Sequence, residues 1–253
     1  MSGRLDGQRA LIVGGTAGIG LATARAMLAE GADVVIAGRS HERGAAALAA
    51  LAAPGAAFIA ADAGKADACA ALVEQAVGSL GGIDVLMSCG GGDPMPRLLR
   101  DISLPELMPQ FSAAVAPVIT PARAVLPVMA AQGSGTIVCV ASDAGKLATP
   151  GEVAIGAAMA AIMMFCRAMA NEVKRDGIRV NCLTPSIVEG TPLHDRLMGD
   201  TFAGRLFSKA KSRAYLGVVR PEDLAAMAVF LASDQAARIT GQTISVTGGI
   251  SAI

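Results

Sequence analysis

Short runs of apolar, often β-branched residues alternate with longer alanine-rich segments along almost the whole chain. The short runs are predicted strands, and their nearly continuous hydrophobicity is typical of strands covered on both faces. They lie at residues 10–13, 34–37, 58–60, 85–87, 136–140, 179–183 and 243–246. Helical patterns lie between them at residues 19–30, 43–51, 66–77, 105–130 and 152–174. This alternation predicts an α/β fold with seven parallel strands and helices on both faces of the sheet.

The alternation continues without a linker or repeat, so we expect one domain over residues 1–253. Residues 189–219 are the exception, because they mix charges with apolar residues after the sixth strand. This segment is predicted to be a mobile lid. In a doubly wound sheet the ligand crevice lies beyond the carboxyl ends of the strands, which is where such a lid would lie.

Composition excludes several classes of function. The 21 basic and 21 acidic residues cancel, which argues against nucleic acid or an acidic membrane as a partner. The five cysteines are scattered without a C-x-x-C pair, so we expect reduced thiols, no metal site and a cytoplasmic protein. An apolar strand begins at about Ala10, which leaves no room for a signal peptide. The uncharged stretch 153–166 is too short to span a bilayer and is predicted to be a buried or interface helix.

A glycine-rich loop joins the first predicted strand to the first helix. Gly14 permits the tight turn, Gly18 lets a pyrophosphate approach the backbone, and Gly20 allows the helix to pack closely on the strand. The free N–H groups and partial positive charge of the helix N-terminus favour phosphate. In this position the loop predicts a Rossmann-type dinucleotide site, although the same glycines would also serve packing alone.

The end of the second predicted strand indicates which dinucleotide to expect. NAD-selective sites place an acid there, whereas this chain has Arg39, whose guanidinium suits a 2′-phosphate. We therefore expect NADP(H), with a solvated surface arginine as the alternative. Asp62, after the third strand, is a candidate partner for the adenine amino group or a helix cap. The expected cofactor-binding residues are Gly14, Thr16, Gly18, Ile19, Gly20, Arg39, Asp62 and Thr191.

Together with four further motifs, these features resemble the short-chain dehydrogenase/reductase family over essentially the full length. The motifs are ASDAG at 141–145, RVNCLTP at 179–185, RPEDL at 220–224, and ITGQ at 239–242 followed by Gly248-Gly249. The resemblance implies a seven-stranded parallel sheet in a dimer or tetramer. It also implies that the long helices after strands four and five form the main interface between subunits.

The resemblance also implies which residues occupy the family's catalytic positions. The family serine falls on Ser142, but its tyrosine, thirteen residues later, falls on Ile155 and its lysine, four further, on Met159. The family asparagine falls on Ala114. The family's N-N-A-G stretch reads Ser-Cys-Gly-Gly at 88–91, and its glycine after the strand-six proline reads Ser186. Ser142 is therefore a remnant of the catalytic set.

In the family mechanism the phenol transfers a proton to or from the substrate oxygen, and the lysine lowers the phenol pKa and holds the nicotinamide ribose. Ile155 and Met159 do neither, so ordinary turnover should fall by orders of magnitude. Candidate replacement acids or bases are Glu152 and His194, with Tyr215, Asp143, Lys146 and Asp93 behind them. Each also has an ordinary structural role as a cap, a turn, packing or a solvated charge. Ser142 lacks an evident general base, which argues against a serine nucleophile.

Three functions compete. The first is a non-catalytic subunit of a heteromeric short-chain dehydrogenase, since the family includes pairs of active and inactive subunits among enzymes of hydroxyacyl-CoA and acyl-CoA substrates. The second is an NADP(H)-dependent oxidoreductase of ketone or alcohol substrates with unorthodox proton delivery. The third is a non-redox binding or lyase-type protein, because fold alone does not fix function. The expected partners are a small molecule and a homo- or hetero-oligomer with a family relative.

Overall fold

The computed structural model describes residues 3–92 and 94–252. Its centre is one seven-stranded sheet in the order β3-β2-β1-β4-β5-β6-β7, with every neighbouring pair parallel. The strands are β1 Arg9–Val13, β2 Asp33–Gly38, β3 Ala56–Ala60, β4 Val85–Ser88, β5 Gly135–Val140, β6 Ile178–Pro185 and β7 Thr243–Val246. These strands confirm the predicted fold class and all seven predicted strands. Apolar runs of this length suit parallel strands that are covered on both faces.

Nine α-helices lie within the described ranges. They are α1 Gly18–Ala29, α2 His41–Leu51, α3 Ala66–Leu80, α4 Leu104–Ala124, α5 Leu126–Gln132, α6 Val153–Val173, α7 Pro192–Gly199, α8 Thr201–Lys211 and α9 Pro221–Ala232. The single helix predicted over 105–130 is wrong in one respect, because α4 ends and α5 begins around Val125. Pro127 lies in the first turn of α5, a position where the missing N–H of proline is tolerated, whereas Pro109, Pro117 and Pro121 lie inside α4.

Two apolar layers cover the sheet. On one face α3, α4 and α6 bury residues such as Leu72, Val118 and Ile162 against the strands. On the other face α1 and α9 pack together over residues such as Met27 and Leu224. Because helices cover both faces of the sheet, a site has room at the amino ends or at the carboxyl ends of the strands. We call the side of the sheet where the strands end the carboxyl edge.

The amino end of the sheet is closed by a polar cluster. The Arg9 guanidinium donates to both carboxylate oxygens of Asp84, at 2.7 and 2.6 Å, and the Arg9 backbone N–H donates to the same carboxylate at 2.9 Å. Gln132 donates to the Ile83 carbonyl and its side-chain oxygen accepts from Arg9. Burial raises the pKa of Asp84, but the hydrogen bonds from Arg9 outweigh it and hold that pKa below its ordinary value.

The segment predicted as a lid contains α7 and α8. Its ends are joined, because Val188 and Val219 form a parallel bridge and the Glu189 N–H donates to the Val219 carbonyl at 2.9 Å. Leu197, Ala203 and Phe207 form a small apolar core beneath it. The segment is therefore a folded unit over the carboxyl edge of the sheet, and its mobility stays a prediction.

Two helical segments, 104–132 and 153–176, are long and apolar enough to cross a membrane by length and composition. The second segment is longer than the uncharged stretch 153–166, which the sequence predicted to be too short to span a bilayer. Both segments contribute to the core layer on one face of the sheet, and α4 packs along α6. The core helices of a water-soluble fold pass the same test of length and composition.

Candidate functional site

The glycine loop has a geometry that only glycine permits. Gly14 has a φ of +81°, and a Cβ there would lie 2.9 Å from the carbonyl carbon of Cys89 at the end of β4. A Cβ on Gly20 would collide with the carbonyl oxygen of Gly14. These contacts bring the turn, the end of β4 and the first turn of α1 together, as the sequence predicted for close packing.

The N-terminus of α1 is available to an anion. Ala17 caps this fully described helix without a side-chain hydrogen bond, and the first turn contains no acidic residue. Gly18 has a φ of +50°, and its nearest side chain across the cavity is Thr191, whose methyl would lie 3.2 Å from an added Cβ. The backbone N–H groups and the positive end of the helix dipole therefore face the cavity wall without a competing carboxylate.

A cavity of about 440 Å³ runs along the carboxyl edge of the sheet. All the residues predicted to bind the cofactor line it: Gly14, Thr16, Gly18, Ile19, Gly20, Arg39, Asp62 and Thr191. The glycine loop is thus open to a ligand and is not filled by the chain's own side chains. Thr191 itself is buried and starts α7, since its hydroxyl donates to the Val188 carbonyl at 2.9 Å and accepts from the His194 N–H at 3.1 Å.

Two arginines lie at the end of the cavity that β2 reaches. Arg39 and Arg43 are both exposed and both line the wall. Ser40 starts α2 by accepting from the Arg43 N–H at 3.2 Å, so Arg39 immediately precedes the helix cap and Arg43 is in the first turn of α2. Sequence reasoning missed Arg43, although its spacing from Arg39 at a helix start was a usable signal.

Asp62 lies in the same wall, where its carboxylate accepts from the Gly64 N–H at 3.2 Å and lies 4.0 Å from the Lys65 amine. It does not cap the following helix, because Lys65 is the residue that precedes α3. The carboxylate therefore stabilises the turn after β3 and leaves its outer edge on the cavity.

Ser142 follows β5 and lines the cavity, with its hydroxyl oxygen accepting from the Ala144 N–H at 3.2 Å. The next residue points away, as strand alternation predicted. The buried carboxylate of Asp143 accepts from the Ser245 hydroxyl at 3.0 Å and from Ser251, and lies 3.7 Å from the Lys146 amine. Asp143 and Lys146 therefore form a buried cluster behind the site.

Ile155 and Met159, the residues that the resemblance aligns with the family tyrosine and lysine, are in the wall of the same cavity. Two glycines press the start of α6 against the turn after β5. A Cβ on Gly156 would lie 2.6 Å from the Ala144 carbonyl oxygen, and one on Gly145 would lie 2.6 Å from the Ala160 nitrogen. This packing holds the start of α6 against the turn that follows Ser142, and Ile155 and Met159 present no group that transfers a proton.

Glu152 and His194, the first two candidate replacements, also line the cavity. Burial raises the pKa of Glu152 above its ordinary value, opposed in part by a hydrogen bond with Thr149. His194 is occupied on both ring nitrogens, with Nδ1 3.2 Å from Asp195 and Nε2 3.4 Å from the Lys211 amine. Tyr215 was expected to pack within the lid, but it is 88% exposed and lies outside the cavity wall.

The remaining differences from the family pattern lie around β4 and β6. Ala114 is buried, and both Ala114 and Ser186 line the cavity. Ser88 is tied to α4, because its hydroxyl donates to the Val118 carbonyl at 2.9 Å. Cys89 donates to the Val13 carbonyl, and burial raises the pKa of its thiol to about 12, so it stays neutral. Asp93 lies outside the described residues.

Within residues 3–92 and 94–252, no three histidine, cysteine, aspartate or glutamate side chains form a group that would hold a metal ion. All five cysteines are within those ranges and are free thiols.

Comparison with known proteins gives the class. A family model described as enoyl-(acyl carrier protein) reductase matches residues 14–251. The 3-oxoacyl-(acyl-carrier-protein) reductase FabG of Chlamydia trachomatis serovar D is 32% identical, over 99% of this chain and 100% of its own. The 2-(S)-hydroxypropyl-CoM dehydrogenase 3 of Xanthobacter autotrophicus is 34% identical over 100% of both chains.

A solved structure agrees with these relatives. The crystal structure of a short-chain dehydrogenase/reductase from Burkholderia xenovorans is 28% identical and superposes with a TM-score of 0.91 over 99% of both chains. The fold and site together define an oxidoreductase of the Rossmann type. The chain belongs to the short-chain dehydrogenase/reductase family, whose members use NAD(P)H.

Proposed function

We propose that this chain is an NADP(H)-binding, non-catalytic subunit of a heteromeric short-chain dehydrogenase. The observation that carries the proposal is a contrast within one cavity. The dinucleotide half is lined by the glycine loop, a free helix N-terminus and two arginines, whereas Ile155 and Met159 line the wall beside Ser142. The dinucleotide half offers the groups that a cofactor needs, whereas the two positions aligned with the family tyrosine and lysine hold apolar side chains.

The residues present fit a phosphorylated dinucleotide. Gly14, Gly18 and the N–H groups at the start of α1 would hold the pyrophosphate, because they offer donors without a side chain in the way. Arg39 and Arg43 would hold a 2′-phosphate, since both guanidinium groups line the same cavity and suit a dianion. Asp62 would face the adenine end. When bound, the cofactor would supply a hydride. Ile155 and Met159 would not supply the proton that must accompany it.

Conventional turnover is not expected, because the negative charge that hydride transfer leaves on the substrate oxygen would not be neutralised by a proton. A carbonyl that accepts hydride becomes an alkoxide unless a proton arrives, and general acid catalysis typically contributes about 10²–10⁴-fold. Ser142 would donate one hydrogen bond to that oxygen, but its neighbour Asp143 is committed to Ser245 and Ser251 and provides no relay to it. The site would bind a carbonyl compound without reducing it at a useful rate.

The partner in this proposal is an active family member. The outer faces of α4 and α6 expose Leu104, Met108, Val153 and Met164, which suits the interface that the family resemblance implies. The name of the Chlamydia relative points to 3-oxoacyl substrates, and a hydroxyacyl or acyl thioester is the substrate class we propose for the assembly.

The test is turnover by the purified chain alone. We expect no oxidation of NADPH with acetoacetyl-CoA or with simple ketones, while NADPH itself binds. A steady rate that persists through repeated purification and disappears in the Gly20→Ala variant would refute the non-catalytic assignment. The double variant Ile155→Tyr with Met159→Lys is expected to gain weak NADPH oxidation, because the spacing of one helical turn is preserved.

A second function rests on Glu152. Its carboxyl lines the cavity beside Ile155, and burial raises its pKa, which favours the protonated form that a general acid needs. In this alternative the chain is an NADP(H)-dependent oxidoreductase of ketones or alcohols. Residual turnover lost in Glu152→Gln and retained in His194→Ala would support it. Turnover equal in both variants and the parent chain would exclude Glu152 as the proton donor.

A further inference from the structure

A second cavity of about 280 Å³ adjoins the first on the side of α8. Resting on the proposed function, we propose that it receives the tail of a carbonyl or hydroxyl ligand whose far end carries an anionic group held by Lys209 and Arg213. The ligand class is therefore an oxo or hydroxy acid, or a thioester whose carrier supplies the anion. Its carbonyl or hydroxyl end would lie at Ser142.

The two cavities share a wall. Ser142, Glu152, Ser186 and Phe207 line both of them. A ligand in the second cavity therefore reaches the residues beside Ile155, which is where the reacting end of a family substrate would lie. The second cavity thus borders the dinucleotide site through these four residues.

The cations are free to bind an anion. Lys209 on α8 and Arg213 just after it are one helical turn apart, and both are exposed side chains that line the cavity. Neither side chain makes a hydrogen bond or ion pair with another residue in the described part of the chain. Lys211 between them differs, because it is paired with Glu189 and contacts His194.

Two carboxylates in the lining do not cancel this positive charge. Asp143 is buried, accepts from Ser245 and Ser251 and lies 3.7 Å from the Lys146 amine. Glu152 is in the wall shared with the first cavity, where burial raises its pKa and so works against its charged form. The unbalanced charge of the cavity is therefore at Lys209 and Arg213.

Much of the remaining lining of the second cavity is apolar. Leu147, Leu206, Ala210 and Ile250 line the second cavity together with Ser142 and the two cations. These side chains favour a hydrocarbon spacer, because burying methylene groups contributes about 0.8 kcal/mol each. The lining therefore fits a ligand with a polar reacting end, an apolar middle and an anionic end.

The experiment is a calorimetric titration of the full chain, saturated with NADP⁺, using matched acid and ester probes. The acid is 5-oxohexanoate and the neutral match is its methyl ester, with acetoacetyl-CoA as the probe for an anion on a carrier. The variants are Lys209→Ala, Arg213→Ala and the double change. Arg205→Ala is the control, because this exposed arginine also lies on α8 but lines neither cavity.

We expect the acid to bind about tenfold more tightly than the ester. Hydrogen bonds to charged groups are strong, but solvent weakens them because the Lys209 and Arg213 side chains are exposed. Each single variant should lose part of this preference and the double variant nearly all of it, with Arg205→Ala unchanged. If only acetoacetyl-CoA shows the dependence on Lys209 and Arg213, the anion belongs to a carrier.

Equal binding of acid and ester, with no loss of thioester affinity in the double variant, would overturn the proposal. So would an acid preference that survives in the double variant. Failure of the proposed function has a different signature. If NADP⁺ does not bind, the cofactor assignment is refuted. If NADPH reduces the acid, the non-catalytic role is refuted. The effect of Lys209 and Arg213 on acid affinity is measured separately from both.

Discussion

The two ends of the sheet use their polar groups in opposite ways. At the amino end, Arg9, Asp84 and Gln132 satisfy one another, and the Arg9 guanidinium also donates to the Gly81 carbonyl at 2.8 Å. At the carboxyl end, the glycine loop and Arg39 line an open cavity, and the start of α1 has no capping side chain.

This difference separates stability from binding. Polar groups that pair within the chain lower the free energy of the folded state, since buried polar groups without partners are costly. At the other end, the Arg39 side chain and the uncapped N-terminus of α1 have no side-chain partner in the described part of the chain and are left for a ligand. A substitution at the amino end should therefore change unfolding and leave NADPH affinity alone, and most substitutions at the carboxyl end should do the reverse.

Gly20→Ala should have the largest effect and is the one change expected to affect both properties. Its Cβ would collide with the Gly14 carbonyl oxygen, so the loop must shift. Overpacking of this kind costs about 1–3 kcal/mol, and we expect NADPH binding to be lost in calorimetry. Gly78→Ala in α3 is the control, because nothing lies within 4 Å of an added Cβ there. Alanine at this helical position should raise the free energy of unfolding by about 0.5–1 kcal/mol. Normal NADPH binding by Gly20→Ala would contradict the packing role of this glycine.

Asp84→Asn should act on stability alone. The carboxylate is only 17% exposed and its pair with Arg9 is bidentate, so we expect a loss of about 2 kcal/mol in denaturant unfolding at pH 7. Because the folded-state pKa of Asp84 is lowered, this contribution is present above the unfolded-state pKa and is lost as the pH falls through the folded-state value. The difference between parent and variant should therefore shrink in acid. A changed NADPH affinity would break the separation between the two ends.

Arg39→Ala should act on binding alone. The arginine is exposed and pairs with nothing in the described structure, so unfolding should be unchanged. We expect NADPH affinity to fall about tenfold, in line with charge-assisted hydrogen bonds to phosphate, and NADH affinity to stay the same. Arg167→Ala on the exposed side of α6 is the matched control. Equal losses for NADPH and NADH would mean that Arg39 does not contact a 2′-phosphate.

Glu152→Gln should have the smallest effect, and only on the pH dependence of stability. Burial raises the folded-state pKa of Glu152, so the folded state binds the proton more tightly than the unfolded state. Its contribution is fully present below the unfolded-state pKa and is lost as the pH rises through the folded-state pKa. Unfolding measured at pH 4 and pH 7 should show the variant gaining on the parent protein at the higher pH. A constant difference would mean that the carboxyl titrates alike in both states.

Sequence alone could predict the fold because its signals are local. Seven apolar runs each became a parallel strand, and the glycine loop placed the cavity at the correct edge of the sheet. The break at Val125 was missed because the apolar period continues past Pro127. Tyr215 was misjudged because burial in a lid depends on how that segment folds back.

The second cavity was beyond the reach of the sequence. It joins Ser142 after β5, Lys209 on α8 and Ile250 near the carboxyl end of the chain, which no local pattern connects. Asp143 shows the same limit, since strand alternation predicted that it points away but not that it meets Ser245 and Ser251.

The most direct test of the account is a calorimetric titration of the purified chain with NADPH and, separately, with NADH. The open glycine loop and the two arginines predict saturable binding of NADPH that is at least several-fold tighter than binding of NADH. Absence of NADPH binding by a folded chain would contradict the claim that the carboxyl end of the sheet remains a dinucleotide site.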